Sequence, residues 1–335
     1  MSKSAEMPHA RTRRVVALAT LLGLVAASLV VAARASATAP PGPALDVPAA
    51  ELAHALSCRP FTHPGQDPVL LVHGTGLNAE QSWAWNYERV LPTVGFDVCT
   101  VTLPAHALGD IQVASEYVVH AIRTMAARAH RRVSVIGHSQ GGLEPRWALK
   151  WWPDIPGLVS HYVGLASPNH GIVAADACVA SGNCWPAVWQ FAHGAKFLAA
   201  LNRGGETPGP TQYTAVYSLT DELVQPALPS PTAALAPAPN ASSIAIQDVC
   251  PGRPVNHISL LDDAVVFAVV MRALRSPKPV RAAAIDRSVC IQTTMRGVTP
   301  AQAVAGNATT YADAAVSFSQ ESGVHAEPPL ASYAR

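Results

Sequence analysis

The chain has 335 residues, of which 49% are hydrophobic and only 13% are charged, and this length is sufficient to bury a large α/β core. The 23 basic and 22 acidic residues leave a formal net charge of +1, which argues against electrostatic binding of nucleic acid. No nucleic-acid partner is therefore expected.

The N-terminus has the pattern of an export signal. Basic residues up to Arg14 precede an uncharged run over residues 15–33, and the small residues 35–37 form an A-x-A cleavage site. We predict a signal peptide over residues 1–37 and a secreted protein. Because the uncharged run approaches membrane-spanning length, an uncleaved anchor is the alternative.

Short apolar runs alternate with helical patterns along the rest of the chain. Strands are predicted over residues 68–72, 96–101, 133–136, 162–166 and 213–217. Helices are predicted over residues 111–129, 143–152 and 260–274, with a further apolar helical stretch over 188–201. This alternation is typical of an α/β fold, in which helices cover a mostly parallel sheet. We predict one catalytic domain over residues 38–320 and a loose C-terminal tail over 321–335.

A glycine-rich loop directly follows the first predicted strand, residues 68–72. In His73-Gly74-Thr75-Gly76, the glycines allow the backbone to approach a substrate, and Thr75 offers both a backbone N–H and a hydroxyl donor. We predict that Thr75 contributes to an oxyanion hole. An ordinary strand-to-loop turn is the alternative interpretation.

The sequence Gly137-His138-Ser139-Gln140-Gly141 lies between a predicted strand and a predicted helix. A serine in this context is typical of a nucleophile elbow, where small flanking residues let the hydroxyl project from a strained turn. The backbone N–H of Gln140, at the start of the helix, is placed to stabilise a developing oxyanion. Ser139 is therefore the predicted nucleophile, with a glycine-rich structural turn as the alternative.

A serine nucleophile at such an elbow is followed along the chain by an acid and then by a histidine. Asp221 follows strand 213–217, so it is expected at the carboxyl edge of the sheet, and Glu222 is its rival. After them only His257 and His325 remain, and His325 lies in the polar tail. We predict His257 as the base, with Asp221 or Glu222 as its orienting acid. A carboxylate that merely starts a helix is the alternative role for the acid.

Six cysteines lie beyond the predicted signal peptide. An even number in an exported chain predicts three disulfides. Their spacing does not match a zinc site, so we expect no metal. Spacing alone leaves the pairing open among Cys58, Cys99, Cys178, Cys184, Cys250 and Cys290.

Several of these segments resemble the lipase B-like α/β-hydrolases, a family of secreted serine lipases and esterases. The similarity runs from about residue 52 to about residue 305, and it is clearest in residues 72–76, 139–143, 188–190 and 220–226. The Asp-Glu-hydrophobic-Val-Gln-Pro run over residues 221–226 is the most specific of them. The resemblance implies an α/β-hydrolase fold, hydrolysis of carboxylic esters without a cofactor, and Asp221 rather than Glu222 as the triad acid.

The resemblance also implies two disulfides, Cys58 with Cys99 and Cys250 with Cys290. The remaining pair, Cys178 with Cys184, is then particular to this sequence.

For the substrate pocket, the resemblance implies walls that include Trp189, Leu223 and Val224. The chain departs from the pattern it resembles directly before the nucleophile, where that pattern has a Thr-Trp pair and this chain has Gly137 and His138. Alcohol selectivity therefore cannot be transferred, and His138 is expected at the pocket as a packed elbow residue.

Together these features predict a secreted serine hydrolase that forms an acyl-enzyme from triacylglycerol or similar lipid esters. We expect a monomer that binds a lipid or small ester substrate and makes transient contact with a lipid–water interface. A secreted acyltransferase with the same triad, an amidase or peptidase, and a non-catalytic binding module of the same fold are the alternatives.

Overall fold

A seven-stranded sheet forms the centre of the fold in the computed structural model, which describes residues 42–335. The predicted signal peptide lies outside the described residues. In chain order the strands are β1 Leu56–Cys58, β2 Val69–Val72, β3 Val98–Val101, β4 Val133–His138, β5 Val159–Leu165, β6 Gln212–Tyr217 and β7 Ala241–Ala245.

The sheet is parallel except at one edge. The strand order is β1-β3-β2-β4-β5-β6-β7, and only β1 runs antiparallel to its neighbour. Every residue of β2, β3 and β4 is buried, which explains why these strands appear in the sequence as continuous apolar runs. The predicted mostly parallel α/β fold is confirmed.

Helices connect the strands. They are α1 Ala49–His54, α2 Ala79–Trp83, α3 Tyr87–Val90, α4 Ile111–Ala129, α5 Leu143–Trp151, α6 Ile155–Leu158, α7 Val173–Ala180, α8 Pro186–Gln190, α9 Lys196–Asn202, α10 Ile246–Val249, α11 Ala264–Leu274 and α12 Pro300–Gln320. None of the helices within residues 42–335 is long and apolar enough to cross a membrane.

Two helical layers follow from the order of the strands. The chain steps from β2 to β3 in one direction and then from β3 past β2 to β4 in the other. Because parallel crossovers are right-handed, this reversal places the connecting helices on opposite faces of the sheet. In agreement, α4 packs against α5, whereas α3 meets α11 through the rings of Tyr87 and Phe267, whose centroids are 5.8 Å apart.

The same reversal creates a crevice at the carboxyl edge of the sheet, where open α/β sheets bind their ligands. Strands β2 and β4 lie side by side, with Val72 opposite Gly137. The loop that follows β2 therefore meets the turn that follows β4. The predicted oxyanion loop and the predicted elbow become neighbours although about 60 residues separate them along the chain.

Three disulfides join all six cysteines: Cys58–Cys99, Cys178–Cys184 and Cys250–Cys290. The first links the antiparallel edge strand β1 to β3.

The C-terminal segment differs from the expected loose tail. The Trp147 indole donates a hydrogen bond to the Tyr333 hydroxyl over 3.2 Å, and Ala334 is fully buried. Val324 forms an isolated antiparallel bridge with Cys184. The polar composition of residues 321–335 was misleading because a few side chains, above all Tyr333, anchor the segment in an aromatic cluster.

Candidate active site

Ser139 occupies a strained turn directly after β4. Its φ is +56°, in the left-handed region that side-chain-bearing residues rarely adopt. A Cβ on Gly137 would lie 2.0 Å from the carbonyl oxygen of Gly141, and one on Gly141 would lie 2.4 Å from the carbonyl oxygens of Val72 and His73. Only glycine fits at both positions, so the close packing of this turn places Ser139 at the edge of the sheet.

A buried carboxylate and imidazole form the second part of the site. The Nδ1 of His257 lies 2.9 Å from Oδ2 of Asp221, and both side chains are buried. The other carboxylate oxygen accepts the backbone N–H groups of Leu223 and Val224 over 2.8 and 2.9 Å. Burial alone would raise the pKa of Asp221, but His257 and these hydrogen bonds hold it below its ordinary value. Asp221 is therefore an anion, hydrogen-bonded to the His257 ring.

Glu222, the rival acid, contacts the same histidine at a different point. One of its oxygens accepts the backbone N–H of His257 over 3.0 Å, and the other accepts the hydroxyl of Tyr311 on α12. Glu222 thus fixes the main chain of His257, while Asp221 contacts the ring.

The loop after β2 lies against the nucleophile. A Cβ on Gly74 would be 2.9 Å from the Cβ of Ser139, so glycine is what lets the two loops touch. The Thr75 hydroxyl donates to the side-chain oxygen of Gln140 over 2.6 Å. Thr75 and Gln140, the two predicted oxyanion donors, are therefore in direct contact beside Ser139.

These groups open into one mostly apolar pocket with a volume of about 270 Å³. Ser139, His138, His257, Thr75, Leu223 and Val224 all line it. Helices α7, α8 and α12 contribute much of the rest of its lining. No group of three or more His, Cys, Asp or Glu side chains in the described part of the chain is arranged to hold a metal ion.

A model of the alpha/beta hydrolase family matches residues 69–313 of the chain. The chain belongs to this family. It is 31% identical over 297 residues to lipase B of Pseudozyma antarctica, covering 88% of this chain and 86% of that protein. The resemblance to lipase B-like α/β-hydrolases is confirmed, and with it carboxylic ester hydrolysis as the class of activity.

Solved structures agree with this α/β-hydrolase assignment. The crystal structure of Aspergillus fumigatus lipase B is similar with a TM-score of 0.82 and 27% identity, over 88% of this chain and 74% of that one. A lipase from Bacillus licheniformis in its mature form is similar with a TM-score of 0.50 and 18% identity, over 65% of this chain and 97% of that one. The second likeness is one of fold alone.

Trp189, which was predicted to line the substrate pocket, lies outside it. Trp189 is absent from the described residues that line the pocket; its indole N–H donates to the backbone oxygen of Val324 over 3.1 Å. Trp185 and Val188 line the pocket instead. The predicted apolar helix over residues 188–201 is in fact two short helices, α8 and α9, so side-chain directions could not be derived from a single helical period.

His138 packs against the ring of His257. Its Nε2 hydrogen-bonds to the backbone oxygen of His257 over 3.0 Å, and the two ring centroids are 4.7 Å apart. Burial and the adjacent His257 lower the pKa of His138 to about 3. His138 is therefore neutral at physiological pH, and it lines the pocket as a packing partner of the base.

The sequence analysis missed Glu144, a fully buried residue on α5. Its Oε1 accepts the side-chain N–H of Gln140 over 2.8 Å, and its other oxygen has no hydrogen-bond partner within the described residues. Burial raises the pKa of Glu144 to about 8. Thr75, Gln140 and Glu144 thus form a continuous chain of hydrogen bonds behind the elbow. A carboxylate in the first turn of the elbow helix, directly after the nucleophile turn, was the available signal.

Proposed function

We propose that Ser139, His257 and Asp221 are the nucleophile, base and acid of this ester hydrolase, with Thr75 and Gln140 as its oxyanion hole. One observation carries the proposal. A serine held at positive φ shares an apolar pocket with a histidine whose Nδ1 is bonded to a buried carboxylate.

The geometry supports acyl transfer in two steps. The hydrogen bond to Asp221 occupies Nδ1 of His257. Nε2 is therefore left to accept the Ser139 proton while Oγ forms a covalent bond to the ester carbonyl carbon. The oxyanion is stabilised by the backbone N–H of Gln140 and by Thr75. Collapse of the tetrahedral intermediate breaks the ester C–O bond, and His257 returns the proton to the departing alcohol. Water, activated by the same imidazole, then releases the acid and restores Ser139.

The pocket supports esters of apolar acids, including lipid esters, as substrates. Leu223 and Tyr311 line it and remain 39% and 38% exposed, so the apolar lining continues to the surface. We extend the proposal to triacylglycerol or similar lipids and to transient contact with a lipid–water interface by a monomer.

The cysteines support secretion. All six are paired, and disulfides persist in oxidising compartments such as the extracellular space. Secretion through a cleaved N-terminal signal is therefore part of the proposal.

The test is hydrolysis of p-nitrophenyl butyrate and p-nitrophenyl palmitate by the wild-type protein, by Ser139→Ala and by Ser57→Ala. Ser57 is an exposed serine on the edge strand β1, so its variant should retain wild-type rates. Cleavage of both esters that requires Ser139 supports a lipase. Cleavage of butyrate alone supports an esterase and removes long-chain lipids from the proposal.

Two results would overturn the triad. One is a folded wild-type protein that cleaves neither ester, and the other is a Ser139→Ala variant as active as Ser57→Ala. Adding an alcohol and measuring the ester formed distinguishes transfer to an alcohol from transfer to water.

A further inference from the structure

Three helices form the outer walls of the apolar pocket. The pocket is lined by Ala174, Ala175 and Cys178 of α7, by Val188 of α8 with Trp185 just before that helix, and by Tyr311, Ala314 and Phe318 of α12. Helices α7 and α12 belong to chain segments more than 120 residues apart, so no local backbone connection fixes the distance between them.

Helix α7 has little core packing of its own. Among its eight residues only Ala175 is buried, and a helix with such a small buried face is weakly positioned by the hydrophobic effect. Its Asp176 does bond to His193 over 2.7 Å, but both side chains are about two-fifths exposed. The position of α7 therefore depends on the tethers at its ends.

One tether is covalent. The disulfide Cys178–Cys184 joins the pocket-lining residue Cys178 to the segment that leads into α8. The same Cys184 exchanges two backbone hydrogen bonds with Val324, over 2.7 and 3.0 Å. Residue 324 lies just beyond the C-terminal end of α12.

Further bonds run between the same two segments. The indole N–H groups of Trp185 and Trp189 donate to the backbone oxygens of Glu321 and Val324 over 2.9 and 3.1 Å. The Trp185 ring also meets the Phe318 ring edge-on at 4.7 Å. Residues 182–189 and 321–325, which we call the clamp, thus connect α7 to α12 across the pocket.

We infer that the clamp, closed by the Cys178–Cys184 disulfide, sets the width of the pocket and thereby selects the acyl group. This inference rests on the proposed ester hydrolysis at Ser139. With both walls fixed, a linear acyl chain fits between α7 and α12, whereas an acid branched next to the carbonyl requires the walls to separate. Clamp residues outside the pocket, such as Trp189, act on specificity through the walls, and no clamp residue takes part in the chemical steps.

The inference is tested with two isomeric esters, p-nitrophenyl octanoate and p-nitrophenyl 2-ethylhexanoate. The quantity measured is the ratio of kcat/KM for the branched ester to that for the linear ester. In Cys178→Ala/Cys184→Ala we expect this ratio to rise roughly tenfold, the discrimination typical of about one misplaced methylene group in an apolar pocket. Trp189→Phe removes one clamp hydrogen bond from outside the pocket, and it should raise the ratio by less.

The matched control is Cys250→Ala/Cys290→Ala, which removes a disulfide whose residues do not line the pocket. It should lower the melting temperature and leave the ratio at the wild-type value. An unchanged ratio in folded Cys178→Ala/Cys184→Ala overturns the inference and leaves the proposed hydrolysis intact. Should that variant not fold, Trp189→Phe decides alone, and an unchanged ratio there has the same meaning. A wild-type protein that cleaves neither ester overturns the proposed function itself.

Discussion

Among single residues, Thr75 matters most for the proposed oxyanion hole, because its one hydroxyl proton can be donated to only one acceptor at a time. Thr75 donates that proton to the Gln140 side chain over 2.6 Å, so in the resting state it is committed to an amide oxygen. Charge-assisted hydrogen bonds are about twice as strong as neutral ones. A developing oxyanion should therefore attract the Thr75 hydroxyl away from Gln140, so that the hydroxyl donates to the substrate only as negative charge appears there.

Thr75→Val tests this role. The substitution keeps the branched shape and the backbone N–H but removes the hydroxyl, and loss of one oxyanion donor costs about 2.7 to 4 kcal/mol of barrier. We expect kcat for p-nitrophenyl butyrate to fall roughly a hundredfold or more. Thr75→Ser, which retains a hydroxyl, should stay close to wild type. If Thr75→Val keeps the wild-type kcat, the hydroxyl has no part in the mechanism.

Because of Glu144, the free energy of unfolding of the protein should depend on pH. Its pKa rises from an ordinary value of 4.5 to about 8 in the folded protein, because burial disfavours the charged form. Between these two values the unfolded chain has lost the proton and the folded chain still holds it. The free energy of unfolding therefore falls as the pH rises through this interval.

Glu144→Gln removes this dependence while keeping an acceptor for Gln140. Relative to wild type, the variant should gain stability between pH 5 and pH 8 by an amount on the order of a few kcal/mol. Thermal melts of both proteins at the two pH values measure this gain. The control is Glu80→Gln, at an exposed glutamate of α2, which should parallel wild type at both pH values. A constant difference between Glu144→Gln and wild type across this range would contradict a protonated Glu144.

At the scale of elements, the sequence predicted best where one side of an element is buried. Helix α4 is observed over residues 111–129 as predicted, because its apolar positions recur at the helical period and its two ends are clear. Five parallel strands, β2 to β6, were located to within a few residues, because their burial makes each of them a short apolar run in the sequence. Strand β1, with three residues on the antiparallel edge, and β7, with two serines, were missed because their burial is incomplete.

The pocket walls were harder to predict than the triad. Chain order and the carboxyl edge of the sheet pointed to His257 and to an acid at residue 221 or 222, and the family resemblance favoured Asp221 over Glu222. Helix α12 was not predicted although it has 21 residues, because only three of them are buried and its alanine-rich sequence lacks a sharp apolar stripe. Its position beside the same pocket as α7 depends on packing between segments at least 120 residues apart, which no local sequence pattern records.

At the scale of the whole molecule, the disulfides lie at different distances from the reacting groups. Cys178–Cys184 borders the pocket, whereas Cys58–Cys99 joins β1 to β3 at one edge of the sheet. Strands β2 and β4, which carry the oxyanion loop and the elbow, lie inside that edge and make no pairing with β1. Stability and catalysis can therefore be separated by choosing which disulfide is removed.

Cys58→Ala/Cys99→Ala should lower stability and leave the chemistry unchanged. The bond closes a sequence separation of 41 residues, so its removal increases the conformational freedom of the unfolded chain and should cost about 2 to 4 kcal/mol. The free energy of unfolding is measured by urea denaturation at 25 °C, and kcat/KM for p-nitrophenyl butyrate is measured at the same temperature without denaturant. We expect a lower urea midpoint with wild-type kcat/KM, because the paired backbone of β1 and β3 remains and the site lies on other strands. A variant with the wild-type midpoint would show that β1 pairing alone holds this edge, and a fall in kcat/KM by a folded variant would show that the edge strand is coupled to the elbow.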